Sequence, residues 1–540
     1  FLAAPFCAPV QAAEPDAPAA LIDQGDAIRI AVQERLSAKF TETSEAKKDD
    51  RGALVEYYAL PENKLLWVDK KGLNDRAKAV IREIEAADDY GLRASDYPVP
   101  NLSEADGNID PNWLAEAEIK TSLAVLAYAR DARGGRIDPS RLSKNLDPQL
   151  MLPNPAQVIE SIAIRADPAA YLRSFHPDQP QFEALRQALI AARGGKAEKE
   201  VVKIPDGPVL KPGIEHEQVA LLRQRLQVPA GPDENANLFD EQVAEAVKRY
   251  QQAHGSYADG IVGPGTRRLL NGQHKQSASP ARIKQILLNM ERWRWLPHGL
   301  GSYYVTVNIP EFTLRVVEDG KPVFTTRVVV GKVNTQTPVF SNEMQTIVFG
   351  PYWNMPNSIK TEEIRPYIRE EGGWFGGGGW NTAVLKRHGL RINVGGREVD
   401  PSRIDWNRID IRSLNIYQPP GPGNVLGAVK FLFPNKHDVY MHDTPQKFLF
   451  ARPVRAESHG CMRVQNPDQL ALTLLKRDQG WSAARVASAI QNGYDHQVPL
   501  REKVPVYITY FTLKVNEDGS FSSYGDLYGH DARMAAALKL

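Results

Sequence analysis

Three hydrophobic regimes follow one another along this chain. From about residue 20 to 195, apolar positions recur every three or four residues, as Ile28, Val32 and Leu36 do in DAIRIAVQERL and Ile119, Leu123 and Leu126 do in WLAEAEIKTSLAVLAYARDARGG. That period predicts amphipathic helices. Asp110-Pro111 offers an N-cap with proline at the first helical position, Gly134-Gly135 a stop, and Asn74 a cap for NDRAKAVIREIEAADDYGL, which ends at Gly91. A linker rich in Gly, Pro and Lys, 194–213, separates this region from a second helical unit, 214–272. There Val219, Leu222 and Leu226 form one stripe and Val243, Val247 and Tyr250 another, before the tight turn and short helix of ADGIVGPGTRRLL. After SPARIKQILLNMERWRWLP the period falls to two. YYVTVNI, FTLRVVEDGKPVFTTRVVVG and VPVYITYFTLKV alternate, with Asp319-Gly320 as a hairpin turn, which predicts a mainly β domain over 300–515 and a tail over 516–540. Inside it, about 360–420, GGWFGGGGWN and IYQPPGPGN are poor strand and helix formers. They read as a lid-like insertion, the alternative being an unstructured surface loop. The fold class expected is multidomain α+β.

At 540 residues the chain exceeds what one hydrophobic core holds, in keeping with roughly three domains. A formal charge of +1, with 42% hydrophobic and 24% charged residues, gives no polyelectrolyte bias and no reason to expect nucleic acid as a partner. FLAAPFCAPVQAAEPDAP reads as the end of an apolar segment followed by small residues, with Val10-Gln11-Ala12 suited to signal peptidase. Residues 1–12 are therefore expected to be a signal-peptide remnant, a membrane anchor being the alternative. Export changes what the cysteines mean. Cys7 would leave with the signal, and a mature chain with Cys461 alone forms no internal disulfide.

DVYMHDTPQKFLFARPVRAESHGCMRVQNP holds the candidate chemistry. Strands are expected over 438–441, ending at His442, and over 460–464, followed by Asn466-Pro467 capping a helix. A free cysteine is only a few per cent thiolate at neutral pH, so a nucleophilic Cys461 needs a base or a positive charge, which His442, His459 or Arg463 would supply. Spacing alone does not choose among them. Three other readings stay open: a buried structural thiol, a zinc site of His442, His459 and Cys461 with His437, and a papain-like peptidase. No CxxC, HExxH or HxxxH spacing is present, and His precedes Cys here, which is the wrong order for a papain-like enzyme.

Two resemblances sharpen this. LLRQRL, FDEQVAEAVKRYQQAHG and DGIVGPGTRRLL resemble the three-helix peptidoglycan-binding module. His442 followed by Ser458-His459-Gly460-Cys461 and then Arg463, with PYWNMPNSIKTEEI and YMHDTP, resembles the L,D-transpeptidase signature. With ALVEYYALPENKLLWVD and AADDYGLRASDY in the first part, the order of helical scaffold domain, binding module and catalytic domain is similar to the large Gram-negative members.

The resemblance implies a periplasmic cysteine acyltransferase without metal or organic cofactor. Cys461 would be the nucleophile, His442 its base, oriented by the backbone carbonyl of Asp443, and the N–H groups of Gly460 and Cys461 the oxyanion hole. Tyr440, Arg463, Ser458 and His459 would line the donor site, with Trp353 near the cleft; a structural salt bridge is the alternative role for Arg463. Donor and acceptor would be peptidoglycan stem peptides and glycan, joined 3→3 with loss of D-Ala, and carbapenems would acylate the same thiol. Carboxypeptidase or endopeptidase action, protein attachment to peptidoglycan, and a non-catalytic wall-binding scaffold are the alternatives, and the oligomeric state is left open.

Overall fold

The computed structural model describes residues 23–38, 44–103, 109–194, 202–231, 235–253, 258–272, 279–370 and 380–540. The signal-peptide remnant, Cys7 and the glycine tract 376–379 lie outside the described residues. The chain divides into two units, one made of residues up to 88, 93–130 and 153–175, the other of 89–92, 131–152 and 176–540.

The first unit is helical. Ile28, Val32 and Leu36 are buried along Gln24–Ser37, Asn74 accepts from the Ala77 N–H to cap Asp75–Glu85, and Asp110 accepts from the Trp113 N–H at 3.1 Å where Pro111–Gly134 begins. Its buried polar centre was not foreseen. The Glu118 carboxylate, fully buried, accepts from the Tyr58 hydroxyl and from the N–H groups of Leu66, Trp67 and Val68.

In the second unit, helices Glu217–Leu226, Glu241–Ala253 and Pro264–Gly272 pack Val219, Leu222, Val243, Val247 and Leu270 into one core. Their turn is held by Gln251, whose amide bonds Asp259, Ile261 and Thr266, while Gly260 adopts φ 75°. Part of the expected linker belongs to this core. Ile204 and Leu210 are buried in it, and Leu210 bridges to Val262.

Nine strands form the main sheet: β1 (Tyr303–Asn308), β2 (Thr313–Glu318), β3 (Lys321–Gly331), β4 (Phe340–Phe349), β5 (Val429–Leu432), β6 (Met441–His442), β7 (Ala456–Ser458), β8 (Met462–Val464) and β9 (His496–Thr509). Their order is β7-β3-β8-β6-β5-β4-β9-β1-β2, and β2 also pairs with β3, so every strand but β7 belongs to a closed ring. Alternation sends Val305, Val307, Leu314, Val316, Val328, Ile347, Phe431, Met441 and Met462 into its core. The Asp319-Gly320 turn joins Glu318 to Lys321, both turn residues at positive φ.

Three details differ from the sequence reading. Helix Pro467–Gln479 starts where expected, but the Asn466 side chain does not cap it, because its Oδ1 accepts from the Thr326 hydroxyl at 2.9 Å. The region after 515 is not a loose tail: helix His530–Leu538 buries Met534 and Leu538 in the sheet core. Between β4 and β5 the insertion builds its own sheet, in the order 397–399, 391–394, 415–418, 353–354, over a core that includes Trp353, Leu385, Ile392, Trp406 and Ile416. Its Pro-rich stretch, 419–424, leads on from strand 415–418.

Candidate active site

Strand register builds the site. Lys430 on β5 stands opposite His442 on β6, and His442 stands opposite Arg463 on β8. Their neighbours Phe431, Met441 and Met462 face the core, so the three polar residues share the opposite face in one row. Cys461 lies just before β8 and Tyr440 just before β6, joined by the Met462 N–H donating to the Tyr440 carbonyl at 3.0 Å.

The sulfur of Cys461, a free thiol, donates to the Asp438 carbonyl at 4.0 Å, and the backbone N–H and hydroxyl of Tyr440 favour its thiolate. Tyr440 itself packs against the insertion core that contains Trp353, so packing runs from the insertion to the residue beside the thiol. Burial nonetheless pushes the Cys461 thiol up from its ordinary value, outweighing Tyr440 and the positive charges of Lys430 and Arg463.

His442 is 5% exposed, and its Nδ1–H donates to the Asp443 carbonyl at 2.5 Å. That bond places the lone pair on Nε2, which has no hydrogen-bond partner among the described residues. Burial first, then the charges of Arg463 and Lys430, bring the imidazole down to about 3. It rests neutral. The Asp443 carboxylate stays out of this contact, accepting instead from the Ala428 and Thr444 N–H groups and from Lys447. Beside it opens a cavity of about 470 Å³ lined by Pro420, Pro422, Lys447, Gln491 and Tyr494.

The cysteine loop is braced from behind. The buried Ser458 hydroxyl donates to the Cys461 carbonyl at 2.5 Å and accepts from the Gly460 N–H at 3.1 Å. With φ at 115°, Gly460 turns its N–H onto Ser458, leaving the Cys461 N–H, which has no partner among the described residues, as the open donor. Thr337 donates to the Gly460 carbonyl at 2.7 Å, and its own N–H donates to the Tyr528 hydroxyl, which donates to the Gly331 carbonyl.

His459 is exposed and bonded to the Glu363 carboxylate of the insertion. Arg463 donates from Nη1 to the Gln446 side chain at 2.6 Å, while its buried Nε has no partner. His437, a possible zinc ligand by sequence, contacts Asp147 at 2.8 Å. No group of three or more His, Cys, Asp or Glu suited to a metal stands among the described residues.

Sequence reasoning missed Lys430 and the bracing residues Thr337 and Tyr528. Lys430 had a signal: it is the one charged position in AVKFLF, and alternation there puts it on the polar face.

Comparisons with known proteins agree with this arrangement. Residues 302–486 match the family model described as L,D-transpeptidase catalytic domain, 215–270 that of a "Putative peptidoglycan binding domain", and 52–189 that of a scaffold domain. A "Putative L,D-transpeptidase" of Haemophilus influenzae is 32% identical over 254 residues, 47% of this chain and 49% of that one. The match thus spans about half the length of this relative. Among solved structures, an L,D-transpeptidase from Xylanimonas cellulosilytica is 15% identical, covering 56% of this chain and 99% of that one with a TM-score of 0.19. One from Stackebrandtia nassauensis is 14% identical, covering 58% and 97% with a TM-score of 0.20. Scores that low do not bear on the fold, which stands on the strand order above. In order along the chain there are thus matches to a scaffold domain, to a peptidoglycan binding domain and, over residues 302–486, to the L,D-transpeptidase catalytic domain.

Proposed function

We propose that the protein is a periplasmic peptidoglycan L,D-transpeptidase with Cys461 as nucleophile and His442 as general base. One observation carries the reading: a neutral imidazole, its Nδ1–H fixed on the Asp443 carbonyl and its Nε2 open, stands on β6 beside β8, the strand that a free thiol immediately precedes. In the first half-reaction Nε2 takes the thiol proton as sulfur attacks the carbonyl carbon of the third stem residue, and the Cys461 N–H receives the developing oxyanion. Collapse breaks the amide C–N bond. Nε2–H then protonates the departing nitrogen of D-Ala, leaving a thioester. An amine of diaminopimelate on a neighbouring stem attacks the thioester, Nε2 removes its extra proton, and the thiol regains it. The cations flanking His442 make its imidazolium a strong acid, which suits delivery of a proton to a poor leaving group.

Residues 214–272 would hold a strand of the wall nearby and raise the local concentration of stems. Water in place of the amine would give a carboxypeptidase. Incubating the purified protein with disaccharide tetrapeptide and analysing the products by mass spectrometry decides between them. Cross-linked dimer with free D-Ala is expected; tripeptide without dimer assigns hydrolysis, and no loss of D-Ala removes the reading.

A further inference from the structure

Lys430 is the part of the row without an assigned partner. Its ammonium lies 3.9 Å from the centre of the Tyr440 ring, and its side chain stands beside His442 across β5 and β6. Among the described residues no hydrogen bond or ion pair engages it. Arg463, on the other side of His442, is already bound to Gln446. Burial lowers the Lys430 ammonium below its ordinary value. A half-buried ammonium left without an anion is unfavourable unless a ligand brings one.

We propose that Lys430 is the specificity residue for a free carboxylate on the donor's leaving group, which it binds while His442 protonates the adjacent nitrogen. The inference rests on the reading above in taking a stem peptide as donor. The placement follows from covalent geometry. The departing nitrogen must meet Nε2 of His442, and the carboxylate of a terminal amino acid is one carbon away from that nitrogen. Lys430, the cross-strand neighbour of His442, is the unengaged cation beside it, and the Tyr440 ring beneath it fixes the ammonium without neutralising it. A donor whose fourth residue carries a further residue or an amide has no such charge, so the site favours stems ending at that residue.

The test measures binding without turnover. Full-length Cys461→Ala protein is titrated by calorimetry with the tetrapeptide stem and with the same peptide ending in a carboxamide. The acid is expected to bind about tenfold or more tightly, the difference a charge-assisted contact makes, and the preference should vanish in Cys461→Ala/Lys430→Met. Equal affinities in Cys461→Ala overturn the proposal without any change at Lys430, so a misfolded double variant does not protect it. A preference that survives in a folded Lys430→Met protein also overturns it. Wild-type protein that releases no D-Ala, with the acid still preferred in Cys461→Ala, would remove the transpeptidase reading and leave the carboxylate site standing; D-Ala release with equal affinities does the reverse.

Discussion

Tyr440 accepts the Met462 N–H on its carbonyl at 3.0 Å and holds its own backbone N–H and hydroxyl near the sulfur of Cys461. These donors favour the thiolate that burial disfavours. Tyr440→Phe keeps the ring under Lys430 and removes only the hydroxyl, so alkylation of Cys461 by iodoacetamide at pH 7 should slow by about tenfold, the worth of one hydrogen bond to a charged group. The melting temperature should barely move. An unchanged alkylation rate would mean that the hydroxyl does not serve the thiol.

The resting pair is neutral thiol and neutral imidazole. With the thiol raised and His442 held near 3, the alkylation rate should keep climbing with pH through 9. A preformed ion pair would instead give a plateau from near neutrality, and that profile would contradict the structure.

Two buried imidazoles couple the fold to pH. His442 sits at about 3 and the fully buried His530 at about 4, both lowered chiefly by burial from 6.5. The unfolded chain binds more protons than the folded one between those values, so stability is full above pH 6.5 and is lost as pH falls. Each site contributes up to about 1.4 kcal/mol per pH unit. Chemical denaturation at pH 7, 6 and 5 should show that decline, and His530→Phe should reduce its slope.

His459 and His442 separate by position. His459 is exposed on Glu363, whereas His442 is buried in the row. Incubated with a carbapenem, His459→Ala should still form the covalent adduct by mass spectrometry, while His442→Ala and Cys461→Ala should not. The opposite ranking would make His459 the base.

In the first unit, Glu118 accepts from three backbone N–H groups and one hydroxyl. Glu118→Gln turns an amide NH₂ onto these donors and should cost about 2 kcal/mol or more in urea unfolding. A neutral result would show that the carboxylate is not what orders residues 66–68.

The periodic elements were legible because each obeys a local rule. Ile28, Val32 and Leu36 mark a helix face, Asp319-Gly320 a hairpin, and Val219 and Leu222 the three-helix core. The row that makes the site was only half legible. His442 and Cys461 stood out by type and by resemblance, but Lys430 enters through strand pairing, which depends on a register that sequence spacing does not contain. The hydrogen bond from the Gly460 N–H to Ser458, at a residue with positive φ, was hidden for a similar reason. The insertion misled by composition. Its core residues, Trp406 and Ile416 among them, are spread too thinly to show a period.

The brace behind the cysteine joins three distant stretches, Gly331 to Thr337, Ser458 to Cys461, and Tyr528. None of the three can set the loop alone. The thiol therefore acquires its donors and its open N–H only when strands far apart in sequence have closed the ring and the segment carrying Tyr528 has docked. Nucleophile and fold arrive together: a partly folded chain presents a thiol without the His442 base and the open Cys461 N–H beside it, so acylation by a stem peptide requires the closed ring.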